Sequence, residues 1–354
     1  MSQYPRVSIC CTAFRPGGID VLLEGMKDQT FKDFEVILVD RRYERRHDRV
    51  MQMAKDRGVT LIHVPEHRRN GKWISFSSAW NTSFAVARGE FILMLADWMY
   101  APPGWIEHHL GLIDGGKKYG VGSYKFLAMP KLKLKQEFDF KAVVEKWHNG
   151  FECTEVSPVF TGDILDEIDV FEQGLFDASW IPLLDRVDNE KDQRVRIMPS
   201  KKQGVNEGWL HIKNDSLDRE TLLNINGLEE RLERGRGPLD IDLQLRLVVS
   251  GINFWWDPDC FVYYIDPHYI LPTLPFGATK RRVEGRWSWL DGLEYTTSLK
   301  ANLTFGASPR AKNNFDIREL ADRLSSWREP EAKPVIRDVD DLTYWGCNMM
   351  PDTL

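Results

Sequence analysis

Short apolar runs alternate with amphipathic stretches through the first hundred residues. Arg6 to Ala13 is a β-favouring run, and Phe34 to Val39 (FEVILV) and Phe91 to Leu95 (FILML) are almost continuously apolar. Runs of that length predict strands buried on both faces, as in a parallel sheet. Between them, Ile19, Leu22, Leu23 and Met26 fall on one stripe and predict a helix over Ile19 to Gln29. Arg49 to Arg57 predicts a second helix stopped by Gly58, Val59 to Val64 a third strand, and Trp73 to Ala87 a helix closed by Gly89. Strands alternating with helices mean βαβ units and an α/β sheet. In such sheets ligands sit beyond the carboxyl ends of the strands, where Thr12, Asp40 and Asp97 fall.

The pattern is weaker further on. Gly115 to Gly122 reads as a turn-rich break, and Lys131 to Lys135 as an edge strand. Residues 136–200 have no clear period and read as an insertion or as loops over a cleft. Leu210 to Asn226 predicts a helix capped by Ser216 or Asp218. Asp240 to Ser250 predicts an amphipathic helix with Gly251 as its stop. Asn253 to Trp256 and Phe261 to Ile265 read as two strands, and residues 316–327 as a last helix before an extended tail from Glu329.

Composition narrows the class. The 354 residues are 28% charged and 42% hydrophobic, which excludes a disordered or collagen-like chain. A net charge of −6 argues against a globally basic nucleic-acid binder. Thirteen Trp exceed what a core needs and point to rings lining a groove. Five Cys, with Cys10 and Cys11 adjacent, show no C-x-x-C spacing. With neither an N-terminal leader pattern nor a long apolar span, the expectation is a soluble, reduced, cytoplasmic protein. The sequons at Asn81 and Asn302 then read as chance matches.

Four segments in order resemble a family 2 type glycosyltransferase with the GT-A fold. They are RVSICCTAFRPGGIDVLLEGMKDQTFKDFEVILVD, SSAWNTSFAVARGEFILMLADWMYAPPGWIEHHL, INGLEERLERGRGPLDIDLQLRLVVSG and YYIDPH, within residues 6 to 268. The resemblance implies a mixed, mostly parallel sheet flanked by helices. It implies a GT-A domain over 1–270, with a nucleotide-binding half at 1–115 and an acceptor-binding half at 116–270 that carries the insertion. Residues 271–354 would be a C-terminal extension covering the cleft.

Roles follow from the same resemblance. Thr12, Phe14 and Arg15 would cradle the nucleotide, Asp40 would accept from a base N–H, and Lys72 would touch base or phosphate. Trp80 stands where the family often has Arg. Asp97 would hold Mn²⁺ or Mg²⁺ against the diphosphate, since hard oxygen ligands suit those ions. It stands alone in LADWM, where the family places two carboxylates, and His268 is the expected second ligand with Asp266 as competitor. Asp240 would be the base that deprotonates an acceptor hydroxyl, with Asp242 in reserve; the family's Glu before it is Leu239 here. Asp242 and Arg246 also suit a helical i, i+4 ion pair.

The acceptor side is expected at Trp98, Trp209 and Arg246, with Trp105, Trp255 and Trp256 near the cleft edges. Arg41, Arg42, Arg45, Arg46 and Arg49 read as a solvated basic surface. Lys280, Arg281, Arg282 and Arg286 lie near Trp287 and Trp289. The implied activity is inverting transfer from a nucleotide-sugar, a UDP-sugar by expectation. The acceptor would be a glycan, a lipid-linked sugar or a modified nucleic acid. Transfer to a hydroxylated base in DNA and a catalytically inactive binding module are the two alternatives.

Overall fold

The computed structural model describes residues 4–13, 18–69, 76–128, 153–154, 157–158, 185–186, 203–205, 212–230, 238–265, 309–329, 332, 334 and 337–338. The chain begins with β1 (Val7–Ala13), α1 (Ile19–Lys27), β2 (Phe34–Asp40), α2 (Tyr43–Asp56) and β3 (Leu61–Val64). It continues through β4 (Arg68–Arg69), α3 (Phe76–Val86), β5 (Phe91–Ala96), β6 (Met99–Tyr100), α4 (Trp105–Asp114) and β7 (Tyr119–Ala128). Four short strands follow: β8 (Cys153–Thr154), β9 (Ser157–Pro158), β10 (Asp185–Arg186) and β11 (Gln203–Val205). Then come β12 (Asn214–Asp218), α5 (Arg219–Asn224), α6 (Pro238–Val249), β13 (Phe254–Ile265), α7 (Ile317–Arg323) and β14 (Arg337–Asp338).

The main sheet runs in the order β11-β13-β7-β12-β5-β1-β2-β3. β3, β2, β1 and β5 are parallel neighbours, and β7 and β13 are parallel to each other. β12 pairs antiparallel with both β5 and β7, so all six of those strands point the same way and β12 alone among the central strands is reversed. This is the expected mixed, mostly parallel sheet. Helices cover both faces. One core layer places Ile37, Val39, Ile92 and Met94 against residues of α3, α5, α6 and α7; the other places Val36, Leu38, Leu93 and Leu95 against α1, α2 and α4. Cys10 belongs to the first layer and Cys11 to the second, as alternation along a strand requires.

Four elements differ from expectation. The stretch Gly115 to Gly122 is not a break: β7 starts at Tyr119 and carries Gly120 and Gly122 inside it. A Cβ on Gly122 would lie 2.1 Å from the Cys260 carbonyl oxygen and 2.4 Å from Asn214 Nδ2, and one on Gly120 would lie 2.5 Å from Ser216 Oγ. These glycines make room for a crowded sheet centre. Leu210 to Asn226 is a strand followed by a short helix; Asp218, not Ser216, caps that helix by accepting from Thr221 N at 2.8 Å. The two strands expected between 253 and 265 are one, β13, whose register with β7 shifts between Asp257 and Phe261. The second helix starts at Tyr43, six residues earlier than expected, because the arginine run is part of it.

Asn214 knits the sheet to α4. Its Nδ2 donates to the carbonyls of Ser123 and Cys260 at 2.8 Å each, while Oδ1 accepts from Trp105 Nε1 at 2.8 Å and faces His109 Nε2 at 3.1 Å. Burial is the main cause that pulls the His109 pKa down to about 4, so the ring is neutral and donates from Nε2. Trp105 is therefore a core residue, not a cleft-edge ring.

The part of the C-terminal segment that the structure describes joins the core. Ile317, Leu320 and Leu324 are buried in the layer with α3, and Arg328 pairs with Glu35 at the start of β2. Residues 309–329 thus lie against the helical layer, not over the cleft. Arg337–Asp338 then pairs parallel with Arg68–Arg69, beyond the end of β3.

Candidate active site at the carboxyl edge of the sheet

Three expected donor residues share one edge. Thr12 is opposite Ala96, and Ala13 is opposite Asp40, so Thr12 and Ala13 sit between Asp97 and Asp40. At one strand spacing of about 4.8 Å per step, Asp40 and Asp97 are roughly 10 Å apart. Thr12 and Asp97 are 4% and 5% exposed. The chain turns sharply at Asp97 and Trp98, and Trp98 has φ 61°. Two anchors hold this turn: Ile265 N donates to the Trp98 carbonyl at 2.9 Å, and Met99 and Tyr100 pair with Tyr264 and Tyr263 of β13. Trp98 is 4% exposed and packs on Gly18, so it does not offer an open face to an acceptor ring as expected.

Asp40 is more tightly bound than expected. Oδ1 accepts from Arg42 N at 2.8 Å and Arg46 Nη2 at 2.7 Å; Oδ2 accepts from Arg46 Nε and lies 3.0 Å from His63 Nε2. A carboxylate has about four lone-pair directions, and all are taken. In this arrangement none is left for a base N–H. Burial alone would raise the Asp40 carboxyl, but the Arg46 guanidinium and the His63 ring outweigh it and hold it well below the usual range. His63 Nδ1 in turn lies 3.1 Å from His47 Nδ1, with the two rings stacked. The basic surface expected here is corrected accordingly: Arg46 and Arg42 are 1% and 4% exposed.

Across the sheet, α6 begins at Pro238, a favoured first helical residue. The helix ends at Val249, the chain turns at Gly251 (φ 77°), and β13 rises from Phe254. The C-terminal end of α6 is therefore at the strand-start edge, and its N-terminal end, with Asp240, faces the carboxyl edge. Asp240 is half-buried in the first turn. Asp242 and Arg246 form a buried pair at 2.9 Å, and Arg246 Nη1 also donates to the carbonyls of Ile225 and Gly227 at 3.0 and 2.9 Å. Arg246 is 1% exposed, so the expected acceptor contact gives way to a structural one that ties α6 to the turn after α5.

Asp215 was not anticipated. It lies on β12 opposite Met94 and Val121 and is fully buried. Burial first, then Asp215 and Asp240, raise the Tyr119 phenol well above its ordinary value. The signal was an Asp inside NDSLD, a sequence too polar for a central strand. Trp80 packs on Phe84 in the core, with ring centroids 5.7 Å apart. Trp256 is core, and half-buried Trp255 carries Lys117 Nζ 3.8 Å from its ring centroid.

Phe14, Arg15, Lys72, Trp209, Asp266, His268 and the 280–289 cluster lie outside the described residues. Among the described residues no group of three His, Cys, Asp or Glu side chains gathers as a metal site. The Asp97 carboxylate is a hard oxygen donor of the kind that Mg²⁺ and Mn²⁺ prefer.

Residues 9–158 match the family model of glycosyl transferase family 2. Over that segment the chain is similar to glycosyltransferases of family 2. Solved structures similar to this chain include TarS residues 1–349 from S. aureus, 13% identical over 91% of this chain and 70% of that one, with a TM-score of 0.47. A mannosyltransferase from Pyrobaculum calidifontis, solved with GDP-Man and Mn²⁺, is 13% identical over 92% and 88%, with a TM-score of 0.41. Glucosyl-3-phosphoglycerate synthase from Mycobacterium tuberculosis, solved with Mn²⁺, UDP and phosphoglyceric acid, is 10% identical over 70% and 65%, with a TM-score of 0.34. All three scores are below 0.5, and the fold rests on the chain's own strand order. No curated protein matches the chain significantly. No helix among the described residues is long and apolar enough to cross a membrane.

Proposed function

We propose that the chain is an inverting glycosyltransferase that moves a sugar from a nucleotide-sugar, most simply a UDP-sugar, to an acceptor hydroxyl. The observation that carries this reading is the pairing of the family 2 match with Asp97, held just past the end of β5 in the middle of the sheet. The donor would lie along Thr12 at the end of β1, with its diphosphate toward Asp97. Asp40 would act through Arg46 and His63, fixing the end of β2 against α2, instead of touching the base itself.

Asp97 would hold a divalent cation, with His268 as the proposed partner. Ile265, three residues before His268, is hydrogen-bonded to Trp98. When bound, the cation offsets charge on the leaving nucleoside diphosphate. Asp240 would take the proton from the acceptor hydroxyl as that oxygen attacks the anomeric carbon. Its place in the first turn of α6 suits a carboxylate that must stay ionised, because the helix N-terminus favours negative charge. Burial of Arg42 and Arg46 takes two of the five arginines out of the basic stretch and leaves Arg41, Arg45 and Arg49 half-buried or exposed, which weakens the case for a nucleic-acid acceptor and makes a hydroxylated glycan or lipid-linked sugar the preferred acceptor class.

The test is Asp240→Asn. Loss of a general base costs about 10²–10⁴-fold in turnover. Release of nucleoside diphosphate in the presence of acceptor should fall by that much, while the nucleotide-sugar that raises the melting temperature of the wild type with Mn²⁺ still raises that of the variant. Near-normal turnover in the variant removes Asp240 from the role.

A further inference from the structure

We infer that the Trp98 indole N–H is a donor-positioning group that hydrogen-bonds a phosphate oxygen of the nucleotide; this rests on the donor reading above. Three observations converge on it. First, Trp98 Nε1 is buried in a residue only 4% exposed, with no acceptor within hydrogen-bond distance among the described residues. A buried N–H left unpaired costs about 1–3 kcal/mol. Native chains keep such groups where something else pairs with them.

Second, Trp98 is one of only three non-glycine residues with positive φ among the described residues, at 61°. For a bulky side chain that conformation costs roughly 1–3 kcal/mol and persists only where the surroundings enforce it. The enforcing contacts are those to Ile265 and the flanking pairing of Met99 and Tyr100 with β13. Residue 98 is thus held in an unfavourable backbone state directly beside Asp97.

Third, the pyrrole part of the indole lies against Gly18, the N-cap of α1. A Cβ on Gly18 would come within 2.5 Å of Trp98 Cδ1 and 2.7 Å of Nε1. Gly18 has φ 83°, and no side chain caps the nine-residue α1. The start of a helix gathers unpaired backbone N–H groups and favours anions. The indole N–H and the uncapped start of α1 therefore meet at the carboxyl edge, beside Asp97. Both are hydrogen-bond donors and neither carries a full charge, which suits a phosphate oxygen. The adjacent Asp97 carboxylate makes a bare anion unfavourable there, so the diphosphate would enter with its cation.

Indole N–H resonances of ¹⁵N-labelled protein test this. The Trp98 resonance is identified as the one missing from Trp98→Phe. Titration with UDP and Mg²⁺, and with inorganic pyrophosphate and Mg²⁺, should move it downfield, while uridine should not. Trp98→Phe should weaken UDP binding about tenfold, the value of one charge-assisted hydrogen bond. Trp98→His, which keeps a ring N–H, should recover part of the loss and gives the same assignment if Trp98→Phe does not fold. If UDP binds the wild type while the Trp98 resonance stays put, the inference is overturned and the donor reading stands. If neither UDP, GDP nor pyrophosphate binds the wild type, both fall.

Discussion

Arg46 offers the sharpest test of how this fold is held together. Its side chain and that of Asp40 are both fully buried, and Nε and Nη2 bond one carboxylate oxygen each. Arg46→Met keeps the length and the apolar stem but removes the charge. Removing one partner of such a pair typically costs about 3–5 kcal/mol, because the other charge is left buried without compensation. Asp40→Asn together with Arg46→Met removes both charges and should be less damaging than Arg46→Met alone, with a coupling of about 1–3 kcal/mol. The pH dependence has a definite sign. Asp40 titrates in the folded protein well below its ordinary value, so the stability it contributes is complete above the unfolded carboxylate pKa and is lost as pH falls toward the folded one. In Arg46→Met the guanidinium's share of that depression is gone, so the gap between variant and wild type seen at pH 7 should narrow at pH 3, below the unfolded carboxylate pKa of about 3.9. Urea unfolding at both pH values measures it. A variant within 1 kcal/mol of the wild type at pH 7, or a gap that widens with acid, would refute the reasoning.

Two further outcomes follow from the sheet centre. Asn214→Ala strands two carbonyls and the N–H groups of Trp105 and His109, and should destabilise by about 3 kcal/mol or more in the same urea assay. Gly122→Ala would drive a Cβ into the Cys260 carbonyl and should destabilise strongly, whereas Gly111→Ala, in the middle of α4 with nothing within 4 Å, should stabilise by about 0.5–1 kcal/mol.

What the sequence made legible was local. FEVILV and FILML read directly as buried strands because nearly every position is apolar. Asp218 and Asp240 read as helix-start carboxylates because cap chemistry acts within one turn. What stayed hidden depended on partners far along the chain. Gly120 and Gly122 look like turn residues until Ser216 and Asn214, each more than ninety positions away, claim the space a Cβ would fill. Arg46 looks solvated until Asp40 is placed beneath it, although one clue was present: Arg42, Arg46, Val50 and Met53 share the inward stripe of α2. The Trp surplus misled for a similar reason. Trp80, Trp105 and Trp256 fill the core, where an indole needs only one acceptor for its N–H.

The reversed direction of β12 has an evolutionary corollary. β7 leaves the sheet at its carboxyl edge, and β12, running the other way, re-enters at that same edge. The 85 residues between Ala128 and Asn214 therefore start and finish beside the Asp97 turn, whatever route they take. Lengthening or exchanging such an excursion touches only the short strands β10 and β11 at the margin and leaves the order β13-β7-β12-β5-β1-β2-β3 intact, and doubling its length adds only about 0.6 kcal/mol of closure entropy. The fold is in this sense a socket: its wiring fixes one half of the chemistry and leaves the opposite half open to replacement.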